Sequence, residues 1–262
     1  FIREFLVQIS ADHPEMIRMV NDHSELTEAD QAGQIGAFLT FEDGRVIQGS
    51  MENLRHYHRL GIRLISLTWN EENCFGYPNS PVPELMQLGL KEFGKEAIPL
   101  MNELGMIIDV SHLSDGGFWD VLKYSKKPVI ASHSNARTLT AHPRNLTDDM
   151  IRALADQGGI SGLNFAAAFL MPQAELDANP DAIKISRVAD MVRHLNHMKN
   201  LGGEDFVALG TDFDGISCEL EIKDPTQLHL LDKALAADGW GSSEREKFWW
   251  RNADRIIKEV LG

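Results

Sequence analysis

Four residues able to bind a metal ion or move a proton each stand at the end of a short apolar run. Ile35-Gly36-Ala37-Phe38-Leu39-Thr40-Phe41 ends at Glu42, and Met106-Ile107-Ile108-Asp109-Val110-Ser111 ends at His112. Pro128-Val129-Ile130-Ala131-Ser132 ends at His133, and Phe206-Val207-Ala208-Leu209-Gly210-Thr211 ends at Asp212. Neutral imidazole is a common ligand for zinc and similar ions. His112 and His133, each preceded by a serine and each ending a β-type run, are expected to converge on one ion. A carboxylate at Glu42 has to be paired, solvated or metal-bound, because an isolated buried charge is costly. A salt bridge at the rim is the plainer alternative, whereas a carboxylate bridging two ions about 3.5–4 Å apart is the arrangement of two-metal hydrolases.

Gly210-Thr211-Asp212-Phe213-Asp214-Gly215 sets two carboxylates around an aromatic residue. Asp212 is expected to act as a ligand or as a general base toward a metal-bound water; Asp214 with Gly215 reads as loop geometry. In His142-Pro143-Arg144-Asn145, Arg144 offers a planar fork suited to a substrate carboxylate, with a solvated surface arginine as the alternative. Asp109 lies inside a strand, and its orientation stays open. His194 and His197 stand three apart on a helix, a spacing that could bind metal, but the helix belongs to the outer layer and they read as surface histidines. The chain carries no Gly-rich phosphate loop and no nucleophile-elbow signature.

Strands are expected at 34–41, 62–68, 106–111, 128–132, 159–165 and 206–211. Helical patterns are expected at Phe1–Ser10, Pro14–Leu26, 51–60, 91–104, 115–125, 147–157, 181–201, 226–237 and 243–260. Thr27 is a candidate cap for a short helix, and Thr147 with Asp148 and Asp149 makes a good helix start. Gly61, Gly105 and Gly158 sit where helices should stop. The stretches 70–90, 166–180 and 215–225 read as loops. Strands separated by helices give a parallel α/β sheet. Candidate site residues after at least four strands favour a ring, because an open doubly wound sheet binds at a switch point between a few strands. The expected fold is therefore a (β/α)8 TIM-type barrel forming a single domain over residues 1–262. About two of its eight strands are unaccounted for, either short and overlooked or upstream of Phe1.

The chain has 262 residues and a formal net charge of -14. That balance argues against general phosphate-backbone binding, so no nucleic-acid partner is expected. Cys74 and Cys218 form no disulfide framework and no Cys-rich zinc motif; as free thiols they point to a reducing compartment and a cytoplasmic location. No apolar run approaches the roughly 18 residues of a membrane span, and no signal peptide is visible.

Six stretches, in order, carry a resemblance to a known family: Leu39-Thr40-Phe41-Glu42-Asp43-Gly44, Leu67-Thr68-Trp69-Asn70, Gly105 to His112, Pro128 to Ser134, His142 to Asn145 and Gly210 to Gly215. The chain resembles, from about Ile35 to its C-terminus, the membrane or renal dipeptidases, which are zinc peptidases with a barrel of the amidohydrolase type. The resemblance implies two zinc ions bridged by Glu42, with His112 and His133 ligating the second. It also implies an acid/base role for Asp212, a substrate-carboxylate role for Arg144, dipeptide substrates, and a homodimer among the assemblies it allows. Two departures stand out. The family's His-x-Asp ligand pair for the first zinc occurs nowhere in this sequence, which suggests a missing N-terminal segment. A histidine that family members often carry after Leu-Thr is Trp69 here. The rival readings are another barrel metallohydrolase, acting on a cyclic amide, lactone or phosphoester, and a non-catalytic peptide-binding barrel.

Overall fold

The computed structural model describes residues 2–179 and 183–262. Phe1 and residues 180–182 lie outside the described residues, and with them the first residue of the expected helix Phe1–Ser10, the end of the expected loop 166–180 and the start of the expected helix 181–201. The chain divides into two compact units. One comprises the chain up to Pro78, Gln87–Pro128 and Asp254–Gly262, and the other Asn79–Met86 and Val129–Ala253.

The first unit holds β1 (Ile17–Met19), β2 (Ile35–Ala37), β3 (Leu39–Phe41), β4 (Ile62–Ser66) and β5 (Ile107–Asp109). β1 pairs in parallel with β2, Ile17 opposite Ile35. β3, β4 and β5 form a second parallel ladder, with a register shift at Leu39/Thr40 and with Ser66 opposite Asp109. The expected strand 34–41 is thus split, its first half pairing with β1 and its second with β4. The expected helix Pro14–Leu26 is corrected. Met16, Ile17, Met19 and Val20 mimic helical spacing, but pairing with β2 makes Ile17–Met19 a strand. That tertiary pairing outweighs a short ambiguous pattern. The helix His23–Gln31 begins only after Asp22, whose side chain accepts the Glu25 N–H at 2.8 Å. Thr27 lies inside it rather than capping it, its hydroxyl donating to the His23 carbonyl at 2.8 Å.

Ser50 caps the helix Met51–Arg59, and the helix Glu92–Leu104 ends on Gly105 at φ 69. This left-handed stop is the one read from the sequence. Leu54, Ile65, Leu67, Ile98, Met101 and Met106 are fully enclosed in this unit.

The second unit holds β6 (Ile130–Ala131), β7 (Ile160–Leu163), β8 (Ile185–Ser186), β9 (Val207–Leu209) and β10 (Glu219–Leu220). β6, β7 and β9 form a parallel ladder, Ala131 opposite Ser161 and Ser161 opposite Val207. β8 and β10 form a separate parallel pair, Ile185 opposite Glu219. Thr147 caps the helix Asp148–Asp156 as its sequence requires, accepting the Met150 N–H at 3.2 Å. The expected loop 166–180 instead carries the helices Ala167–Leu170 and Gln173–Ala178, both too short for a periodic pattern to reveal. The expected helix 243–260 breaks into Ser242–Glu246, a π-helical turn at Lys247–Arg251 and Asn252–Leu261. Among the described residues no helix is long and apolar enough to cross a membrane.

Candidate active site

In the first unit, β5 ends at Asp109, which is wholly buried. Its carboxylate accepts the Ser66 hydroxyl and, at 2.9 Å, the Ser111 N–H. Asp109 therefore ties the end of β4 to the turn that follows β5. That turn carries His112 at φ 68, a left-handed conformation uncommon for a residue with a Cβ. The ring of His112 is nearly enclosed. Its Nδ1 meets Asn70 Oδ1 at 3.2 Å, and its Nε2 lies 3.3 Å from Glu42 Oε1. An amide oxygen only accepts, so Nδ1 carries a proton, and Nε2 is the ring atom that faces Glu42. A ligating histidine whose other ring nitrogen is held by a fixed acceptor is the usual arrangement in metal sites. The Glu42 side chain is about half exposed. Trp69, also exposed, lies with its ring centroid 6.3 Å from that of His112.

In the second unit, His133 follows β6 and is buried, with the Ser132 hydroxyl 2.7 Å from its Nδ1. Asp212 follows β9 and, like His112, has a left-handed backbone, φ 59. One carboxylate oxygen of Asp212 accepts from Asn164 Nδ2 at 3.0 Å. Arg144, the alternative surface arginine of the sequence, is in fact buried at 7% exposure. Its Nη2 lies 3.5 Å from the His133 carbonyl, and its guanidinium lies 5.7 Å from the Phe169 ring centroid. Burial first, and then Arg144, Lys184 and Arg137, push the His142 imidazole down to about 4. His142 is thus neutral near pH 7, and its Nδ1 accepts the Arg144 N–H at 3.2 Å. Asp214 is exposed in the turn after β9, as its pairing with Gly215 suggests.

Within the first unit, Glu42 Oε1 and His112 Nε2 lie 3.3 Å apart, close enough to share a metal ion. A carboxylate and an imidazole are donors suited to zinc and similar divalent ions.

Sequence reasoning missed a set of buried asparagines. Asn135 and Asn164 exchange hydrogen bonds: the Asn164 N–H donates to Asn135 Oδ1 and Asn135 Nδ2 to the Asn164 carbonyl, both at 2.9 Å. Asn145 Oδ1 accepts the Asn135 N–H at 3.2 Å. Asn164 directly follows β7, the same strand-end position that drew attention to the histidines. His194, read as a surface residue, is wholly buried. Its helix turns that face inward, and its Nδ1 accepts the Ala136 N–H at 3.2 Å while Nε2 faces the Leu170 carbonyl at 3.1 Å.

Parallel strands that end on carboxylate and imidazole residues are the arrangement of metal-dependent hydrolase scaffolds. Residues 3–261 match the membrane dipeptidase family, peptidase family M19, and the chain belongs to that family. It is 34% identical over 97% of its length to an uncharacterized protein from the pqqA 5′ region of Klebsiella pneumoniae, covering 93% of that protein. It is 36% identical over 82% of its length to an uncharacterized dipeptidase of Schizosaccharomyces pombe, spanning about half (52%) of that relative. A Rhodobacter sphaeroides metallopeptidase, solved with a phosphinate mimic of the dipeptide L-Ala-D-Ala, superposes with a TM-score of 0.88. The alignment is at 27% identity and covers 98% of this chain and 72% of that one. The fold is the α/β barrel type of these dipeptidases, and the chain is a metallo-dipeptidase acting on peptide substrates.

Proposed function

We propose that the chain hydrolyses dipeptides with zinc held by Glu42, His112 and His133, with Asp212 as acid/base and Arg144 as the group that receives the substrate's C-terminal carboxylate. The observation that supports it is the approach of His112 Nε2 to Glu42 Oε1, 3.3 Å, after strands β5 and β3 of the first unit. Both histidines are braced, Asn70 engaging Nδ1 of His112 and Ser132 engaging Nδ1 of His133. When bound, the zinc ion supplies Lewis acidity toward water and the peptide carbonyl.

The remaining work falls to this chain's own groups. Asp212 takes a proton from the attacking water at its carboxylate and returns it to the leaving amine. Arg144 binds the terminal carboxylate through its fork. The cations that depress His142 make this a locally positive region in a chain of net charge -14, which favours an anionic substrate terminus. A bound carboxylate at a fixed distance from the scissile bond restricts substrates to short peptides. The phosphinate mimic bound to the Rhodobacter protein makes L-Ala-D-Ala a suitable first substrate.

The test is elemental analysis joined to turnover. Purified chain should contain zinc, lose activity on chelation and regain it when zinc is returned. His112→Ala should lose both zinc and turnover while circular dichroism stays unchanged. Full activity in the chelated protein, or turnover by His112→Ala with zinc retained, would refute the assignment. Asn70→Ala should weaken zinc binding by about 10–100-fold, the usual cost of removing an outer partner of a ligand.

A further inference from the structure

We infer that Asn164 is the positioning residue for Asp212, an inference that rests on the acid/base reading above. Asn164 is wholly buried at the end of β7. Its Oδ1 accepts the Ala166 N–H at 2.6 Å. Turning the amide over would set an NH2 against that N–H, so the orientation of the side chain is fixed. Nδ2 must then face outward, where it donates to Asp212 Oδ2 at 3.0 Å and lies 3.4 Å from the His133 carbonyl. The backbone of Asn164 is itself held by the reciprocal pair with Asn135.

Asp212 needs such a hold. It sits at φ 59, in a left-handed conformation that gives its carboxylate no regular strand direction. A neutral amide that only donates at this atom anchors one carboxylate oxygen and leaves the other for proton transfer. A lysine or arginine there would add a charge competing for the same proton.

The test is a double-mutant cycle on the zinc-loaded full chain with L-Ala-D-Ala, reading kcat, KM and zinc content. Asn164→Ala should lower kcat by about 10–100-fold, the cost usual for a supporting partner, with KM and zinc content unchanged. Asp212→Glu carries the carboxylate one methylene away from the amide. In that background the added Asn164→Ala should change kcat by less than about threefold, because the two lesions act on one contact. Multiplicative losses, or a loss expressed only in KM or zinc content, overturn the inference. Should Asn164→Ala not fold, the isosteric Asn164→Asp keeps the acceptor for Ala166 and is read by the same cycle. Asp212→Ala separates the two claims. If it retains full turnover, the acid/base reading fails. If it is inactive and the cycle is additive, only the role of Asn164 fails.

Discussion

Arg144 shows how far a single residue type can be read. Its fork is suited to a carboxylate wherever it stands, but the sequence leaves a solvated arginine equally open. Burial removes the solvated alternative, since a guanidinium that is 7% exposed, with Phe169 beside it and the His133 carbonyl at 3.5 Å, is not a solubility group. A hydrogen bond to a charged partner contributes about 1.5–3 kcal/mol, so Arg144→Ala should raise KM for L-Ala-D-Ala by roughly 10–100-fold with a smaller change in kcat. The C-terminal amide of the same dipeptide lacks the carboxylate and should be hydrolysed equally by both forms. Equal losses on the two substrates would show that Arg144 supports the site without binding the carboxylate. Glu42, His112, His133 and Asp212 stand out as candidates because each follows a run whose end is visible in sequence. Asn164 shares that position but carries an amide, which by type alone suggests no chemistry. His194 was misread because the helix Val188–Gly202 buries Asp190, Met191, His194 and Leu195 together, so the polar residues on its inner face give no sign of burial.

At the scale of elements, the parallel ladder β6-β7-β9 depends on two glycines that the sequence presents as unremarkable strand residues. A Cβ on Gly162 or on Gly210 would collide with the carbonyl oxygen of Ser132, and the two glycine backbones approach each other closely. Ser132 precedes His133, so any shift there is carried straight to a proposed ligand. Gly162→Ala should therefore destabilise the chain by about 1–3 kcal/mol, the range for forcing atoms into a filled interior, and should also weaken zinc binding. Gly203→Ala is the control. Its φ of 84 makes a side chain strained, but nothing lies within 4 Å of the added carbon, so it should lower the melting temperature and leave zinc affinity intact. Weakened binding in both variants would mean that general loosening, not the Ser132 contact, is responsible. Helix ends were the most legible elements, since Thr147, Gly105 and Gly158 act through local backbone rules that a sequence displays. β1 was not legible, because three residues cannot establish a period and its strand character comes from β2. The two short helices after Phe165 escaped for the same reason.

Across the whole molecule, the parallel α/β class was readable from the alternation of strands and helices, whereas the partition into two compact units depends on long-range contacts that no local pattern encodes. Stability at this scale should carry a pH dependence to which two buried imidazoles contribute, the more enclosed of them His194. Burial, with Arg193 adding to it, pushes His194 from 6.5 down to about 3. The ring stays neutral in the fold because Nδ1 must accept from Ala136 while Nε2–H donates to the Leu170 carbonyl. In the unfolded chain the same group binds a proton below about 6.5. Between those values the unfolded state holds the extra proton, so stability is complete above pH 6.5 and falls as the pH drops, by about 1.4 kcal/mol per pH unit. His142, lowered to about 4, acts in the same direction over a narrower window. Urea unfolding of the metal-free chain between pH 6.5 and 5, above the main carboxylate range, should show this loss. His194→Gln, whose amide offers the same donor and acceptor types without titrating, should remove about one proton from the slope. An unchanged slope in that variant would place the proton uptake elsewhere, whatever the variant does to stability at neutral pH.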